Sequence, residues 1–241
     1  MYNVKTLSSV NWRSEKGEMH PMRPARIMRQ IAMVVVTFFA LTTTAVSDSH
    51  GPIAVHVRDG LLVVADRSGE LLTVDPEQKK VLHREKIGNQ LSDLLPLGNK
   101  YWLASAPQVG LILLKSNTSE WQIVQRLPLP FVVTLGVHPN HRLVSAICLW
   151  SRRVVLLDFD FETNLRIAHT VDLPFAPRCQ CWIDDGKQVL LLVVGSFQGK
   201  FAIVDTAGTV LHTGEMDVHN VRGLLVDDRR RQLLVSHQSM N

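Results

Sequence analysis

The chain has 241 residues, 46% of them apolar and 20% charged. That is enough for one ordinary domain with a sizeable core, and it excludes a disordered or low-complexity chain. The formal charge is +4, from 26 Lys and Arg against 22 Asp and Glu. The excess lies in residues 1–47, where Lys5, Arg13, Lys16, Arg23, Arg26 and Arg29 face only Glu15 and Glu18. The rest is formally neutral, so charge implies no polyanion-binding surface and no nucleic-acid partner.

Residues 1–47 read as an export signal. Arg23, Arg26 and Arg29 precede the apolar run Ile31–Leu41, and Ala45-Val46-Ser47 follows it. A basic start, a short apolar stretch and small residues before a cut are the layout of a secretory signal peptide. A membrane anchor is the alternative, but Ile31–Val46 holds 16 residues with four threonines, against the roughly 20 apolar residues a span requires. Residues 1–21 make a long polar lead, so Met22 is a candidate start. Cleavage after Ser47 would leave a periplasmic or secreted protein with no stable membrane span.

After Gly51 the chain reads as short apolar strands separated by turns. LLTVD ends at Asp75, LILLK at Lys115, VVLLD at Asp158 and FAIVD at Asp205, spacings of 40, 43 and 47. Turn signals keep the same beat at Asp59-Gly60, Gly98-Asn99, Asn140-His141, Asp185-Gly186 and Asp227-Asp228. A period of about 43 residues, in units of several short strands, is the signature of a β-propeller blade. In the first unit the strands are Ile53–Val57, Leu61–Ala65, Glu70–Val74 and Val81–Glu85. The second strand is apolar throughout, as at Leu190–Val194, which calls for burial on both faces. The outer strand carries charge, as an exposed edge should. A β-sandwich would not repeat in this way, and an α/β fold lacks its helices. The expected class is therefore all-β, a propeller of four-stranded blades spanning residues 48–241. The blades run over about 53–88, 90–129, 131–173 and 175–217, with a partial fifth at 218–241.

VVADRSGELLTVD resembles the bacterial YVTN-type propeller repeat, with Asp66 where that pattern has Asn. LWSRR (149–153), LPFAPR (173–178), HNVRGL (219–224) and His237-Gln238 resemble a group of exported planctomycete-type propellers. The resemblance covers roughly Ile53–Asn241. It implies a propeller fold and association with c-type cytochrome domains; it fixes no activity.

Four units have all their strands. The fifth has Asn220–Val226 and Gln232–Ser236, and Asp48–Pro52 is too short to supply two more. A truncated or split propeller is expected, an open arc able to self-associate through blade edges.

Within a blade, strand one begins and strand two ends at the same rim. That hairpin folding places Arg178 near Val193, Arg222 near Ser236, His219 near His237 and Gln238, and Phe131 near Trp150. Asp93, Thr134, Arg178 and Arg222 stand at matched strand-one positions facing the channel. The candidate ligand site is thus Arg178, Arg222, His219, His237, Gln238, Trp150 and Asp93. It suits an anionic small molecule or a carboxylate on a protein partner. The same arginines would serve equally as braces between blades, through carbonyls or Asp93.

Cys148, Cys179 and Cys181 are an odd set. Cys179 and Cys181 share a strand face but have no second pair to complete a zinc site, so core thiols are the simpler reading. No Cys-x-x-Cys-His, Gly-x-Ser-x-Gly, His-Glu-x-x-His or Walker loop occurs. No cofactor or metal is expected. Three functions follow: an exported non-catalytic scaffold binding a protein partner or small ligand, a lactonase-like or quinone-dependent propeller enzyme, or a fragment without independent function. The enzyme would need rim acids, and only Asp66 and Asp93 are available.

Overall fold

The computed structural model describes residues 51–117, 120–129, 131–160, 164–184, 186–227, 230 and 232–238, and the backbone of 2–7. The apolar Ile31–Leu41 run, Met22 and the cut after Ser47 lie outside these residues, as do Asp185 and Asp228 of two expected turns. The described residues form nineteen strands and no helix.

β1 is Tyr2–Leu7. The first sheet comprises β2 (Pro52–Arg58), β3 (Leu61–Asp66), β4 (Glu70–Asp75) and β5 (Lys80–Lys86). The second is β6 (Asp93–Leu97), β7 (Tyr101–Ala106), β8 (Gly110–Ser116) and β9 (Trp121–Leu127). The third is β10 (Val132–Val137), β11 (Leu143–Cys148), β12 (Arg153–Phe159) and β13 (Leu165–Asp172). The fourth is β14 (Pro177–Asp184), β15 (Val189–Gly195), β16 (Lys200–Val204) and β17 (Val210–Glu215). Each is antiparallel with neighbours in chain order. β18 (Val221–Asp227) and β19 (Gln232–Gln238) belong to a fifth sheet.

The fifth sheet differs from expectation. β1 pairs antiparallel with β19, Tyr2 opposite Gln238 and Leu7 opposite Leu233, and takes the place of a third strand. The segment read as leader therefore supplies a strand that the short stretch before β2 could not. The alternation of Val4, Thr6 and their neighbours is too brief to announce it.

The sheets are held together by four cores, each shared by two consecutive sheets. β15 shows why second strands are apolar at every position. Leu191 and Val193 enter the core shared with the third sheet, while Leu192 and Val194 enter the one shared with the fifth. Successive residues point to opposite faces, and here both faces are interior. Outer strands meet a second sheet only at isolated points, such as Trp121 and Leu165 in the shared cores and Gln125 bonded to the Leu165 backbone, and the rest of β5 and β13 is correspondingly charged and exposed. No core cluster joins the first sheet to the fifth among the described residues; the outward face of the first carries a separate cluster of Leu62, Val64, Leu72 and Val74.

Antiparallel order puts two kinds of connection on one rim, termed upper: the loops from second to third strands and the links between sheets. All the candidate site residues lie on or beside it.

Candidate functional site

Innermost strands begin at the upper rim, and four of the five begin with an irregularity. The register shifts between Pro52 and Ala54, Val132 and Thr134, Pro177 and Cys179, and Val221 and Gly223. The extra residues are Ile53, Val133, Arg178 and Arg222. β6 has no such bulge, and Asp93 sits directly opposite Ser105. Asp93 therefore corresponds to Thr134 opposite Ile147, Cys179 opposite Val194 and Gly223 opposite Ser236. Arg178 and Arg222 do not share their position, contrary to the sequence spacing, because a bulge adds a residue without changing the hydrophobic pattern. Such a bulge re-aims the side chain it inserts.

Asp93 and Thr134 face the neighbouring blade. Asp93 Oδ2 accepts from the Leu135 amide at 2.7 Å and Oδ1 from the Leu94 amide at 2.9 Å. Burial pushes its pKa up to about 6, partly offset by these two donors. Thr134 Oγ1 donates to the Arg178 carbonyl at 2.8 Å. Gln180 Nε2 donates to the carbonyls of Thr134, at 3.0 Å, and Ser145, at 3.2 Å. Ser92 Oγ donates to the Val132 carbonyl at 2.6 Å. These bonds staple the second sheet to the third and the third to the fourth. Asp93 is one of the staples.

The two arginines behave differently. Arg222 is exposed, and its Nη2 donates to Gln238 Oε1 at 2.9 Å. Arg178 is half-buried, and its guanidinium makes no hydrogen bond or ion pair among the described residues. Burial raises the Cys179 thiol to about 11, while Arg178 and then Arg222 pull it down. Both cations therefore lie near the junction of sheets four and five. His237 stands opposite Val221, and its Nε2 is buried without a hydrogen-bond partner among the described residues. His219 is exposed, and the next carbonyl, of Asn220, accepts from the Gln238 amide at 3.0 Å. The structure thus brings Arg178, Arg222, His219, His237 and Gln238 to one junction. Trp150 is apart from them, on the third sheet's loop, and Asp93 is committed between sheets two and three. Neither guanidinium bonds Asp93 or a neighbouring blade's carbonyl among the described residues.

Cys148 and Cys179 are buried and Cys181 half-buried, all free. Burial raises Cys148 to about 11 and Cys181 to about 12. A cleft of about 500 Å³ lies at the lower rim of the third sheet, lined by Arg142, Asp158, Phe159, Asp160, Asn164 and Arg166. Its Arg166–Asp158 pair at 3.3 Å neutralises much of its charge.

No protein-family model matches the sequence, and no curated protein matches it. Solved structures do match in shape. The β-propeller domain of Myceliophteria thermophila Cps50 (Swd1) aligns with a TM-score of 0.59 at 16% identity, over 76% of this chain and 62% of that domain. BBS1N, in complex with ARL6DN, aligns with a TM-score of 0.59 at 13% identity, over 82% and 69%. A functionally unknown protein from Desulfotomaculum acetoxidans gives 0.65 at 13% identity, over 81% and 65%. The chain thus spans less than two thirds of the Cps50 domain. The fold is a β-propeller arrangement of roughly four to five blades.

Proposed function

We propose that this chain is an exported, non-catalytic β-propeller scaffold that binds a partner or small anion at the junction of sheets four and five. The observation that carries the reading is the pair of guanidinium groups on bulged strand starts, neither neutralised by a carboxylate among the described residues. Protein partnership is in keeping with one structural neighbour, BBS1N, seen in complex with ARL6DN. Export rests on the basic and apolar pattern of residues 23–47, and the c-type cytochrome association on the YVTN-like and planctomycete-type resemblance. The enzyme reading loses support because both rim acids are engaged: Asp66 accepts from Gly51 and Ser68, and Asp93 from Leu94 and Leu135.

The test is a thermal-shift panel of phosphate, sulfate, citrate and oxalate on the wild type, Arg178→Ala and Arg222→Ala. A binding anion stabilises the wild type by about 2.7 kcal/mol at a hundredfold excess over its dissociation constant. Both variants should lose that gain while melting near the wild type without ligand. A large loss of stability with no anion effect in any form overturns the site.

A further inference from the structure

Among the described residues, the Phe and Trp side chains counted as exposed are Phe131 (48%), Trp150 (70%) and Phe197 (64%). All three lie on the upper rim, with Val109 (41%) beside them. Val109, Trp150 and Phe197 occupy the loops between second and third strands of three successive sheets. Phe131 lies in the link between sheets two and three. The turns of the opposite rim, such as Asp59-Gly60, Gly98-Asn99 and Asn140-His141, are polar. Scattered exposed apolar residues are ordinary, but a row of large rings confined to one rim is characteristic of a contact surface.

The row is also rigid. The Phe131 amide donates to the Pro107 carbonyl at 2.8 Å, and the Leu149 amide to the Phe131 carbonyl at 3.3 Å. Leu173 donates to Arg152 at 2.8 Å, and Ser196 to Ala176 at 2.9 Å. Each segment is thus tied by backbone bonds to the next, across three sheets. A surface ordered in advance loses little conformational freedom on binding.

Charge selects the occupant. Segments 106–110, 128–131, 149–153, 173–178 and 195–199 contain Arg152, Arg153 and Arg178 but no Asp or Glu, and the adjoining link 216–220, tied to Gly199 through the Met216 amide, carries one exposed acid, Asp217. Arg153 is paired with Asp172 at 2.7 Å, which leaves Arg152 and Arg178 without an ion pair among the described residues. We propose that this rim docks an extended acidic segment of another protein, one that carries aromatic or aliphatic anchors among its carboxylates. The anchors would pack on Phe131, Trp150 and Phe197, and the carboxylates would meet the two arginines. The proposal rests on the scaffold reading above and names the partner's chemistry.

The probe is a random library of displayed 12-residue peptides, selected in parallel on the wild type and on Trp150→Ala/Phe197→Ala, with enriched sequences measured by fluorescence anisotropy. The expected result is enrichment of peptides rich in Asp and Glu with Leu, Phe or Trp. Their affinity should fall tenfold or more in the double variant, and also when salt rises from 50 to 300 mM. The double variant should melt with the wild type, since these rings are exposed. A Leu211→Ala control on an outer strand should bind normally. Enrichment of neutral or basic peptides, equal binding by the double variant, or no enrichment overturns the proposal. So does co-sedimentation of the wild type with phosphatidylglycerol vesicles that Trp150→Ala/Phe197→Ala abolishes while no peptide binds. If anions stabilise the wild type through Arg222 and no acidic peptide binds, the anion site stands and the rim proposal falls.

Discussion

Asp93 Oδ2 lies 2.7 Å from the amide of Leu135, and that bond joins the second sheet to the third across the inner strands. The same carboxylate is buried enough to titrate near 6, above the ordinary 3.8.

Its folded pKa is raised, so the stability it contributes is fully present below about pH 4 and is lost as pH rises through 6. The shift of about two units corresponds to about 3 kcal/mol at most. Asp93→Asn cannot ionise and should flatten this part of the stability profile. One of the two amides then loses its acceptor, at a cost of about 1–3 kcal/mol at pH 4.5. Urea unfolding of both proteins at pH 4.5 and 7.5 measures this. An equal gap at the two pH values would contradict it.

Arg152 occupies a left-handed conformation, φ 55°, at the entrance to the third strand of its sheet. Its carbonyl accepts from the end of the outer strand, as do those of Gly69 and Gly199 in their own sheets. A Cβ on Gly69 would stand 2.1 Å from the Gly88 carbonyl oxygen, and on Gly199 2.2 Å from that of Val218. Gly69→Ala and Gly199→Ala should therefore each cost about 1–3 kcal/mol. Arg152→Gly should be neutral or stabilising, by up to about 1 kcal/mol, because it relieves a conformation that side chains disfavour. Denaturant midpoints of the three variants check the contrast.

All three thiols are free, and burial holds them protonated well above neutral pH. The thiolate is the reactive form. At pH 8 the native protein should react with Ellman's reagent far more slowly than in 6 M guanidinium, where all three cysteines should titrate. Fast native labelling of any one would show that its pocket is open.

The end sheets present apolar side chains outward, with Val57 55% exposed on the first and Leu225 62% exposed on the fifth. Sedimentation velocity should detect concentration-dependent self-association. Val57→Lys/Leu225→Lys should shift it toward monomer without lowering the melting temperature much. A wild type that stays monomeric at high concentration would remove this expectation.

β1 and signal cleavage make opposite demands on the N-terminus. A chain cut after Ser47 has lost the strand that pairs with β19, and the edge of β19 is then open. N-terminal sequencing of the exported protein should find Asp48. A chain that retains Tyr2–Leu7 would place the finished protein with β1 in its fifth sheet and would overturn the export reading.

The sequence by itself determined the blade and its beat. Strands buried on both faces must be apolar at consecutive positions, as in LLVVA and LLLVV, and outer strands such as VLHREK must be wet. Each of these is a local rule, repeated. It also brought Arg178, Arg222, His219, His237 and Gln238 toward one end of their sheets, since hairpin folding is local too. Tertiary structure alone decided the rest. A one-residue bulge leaves no trace in the hydrophobic pattern, yet it moves Arg178 and Arg222 out of line with Asp93 and Thr134. Whether Asp93 meets a ligand or the Leu135 amide depends on how close the next sheet packs, which no spacing encodes. The pairing of Tyr2–Leu7 with β19 spans more than two hundred residues of sequence. Such a contact is set by which edge is left unpaired once the other sheets have formed, and so by the assembled fold.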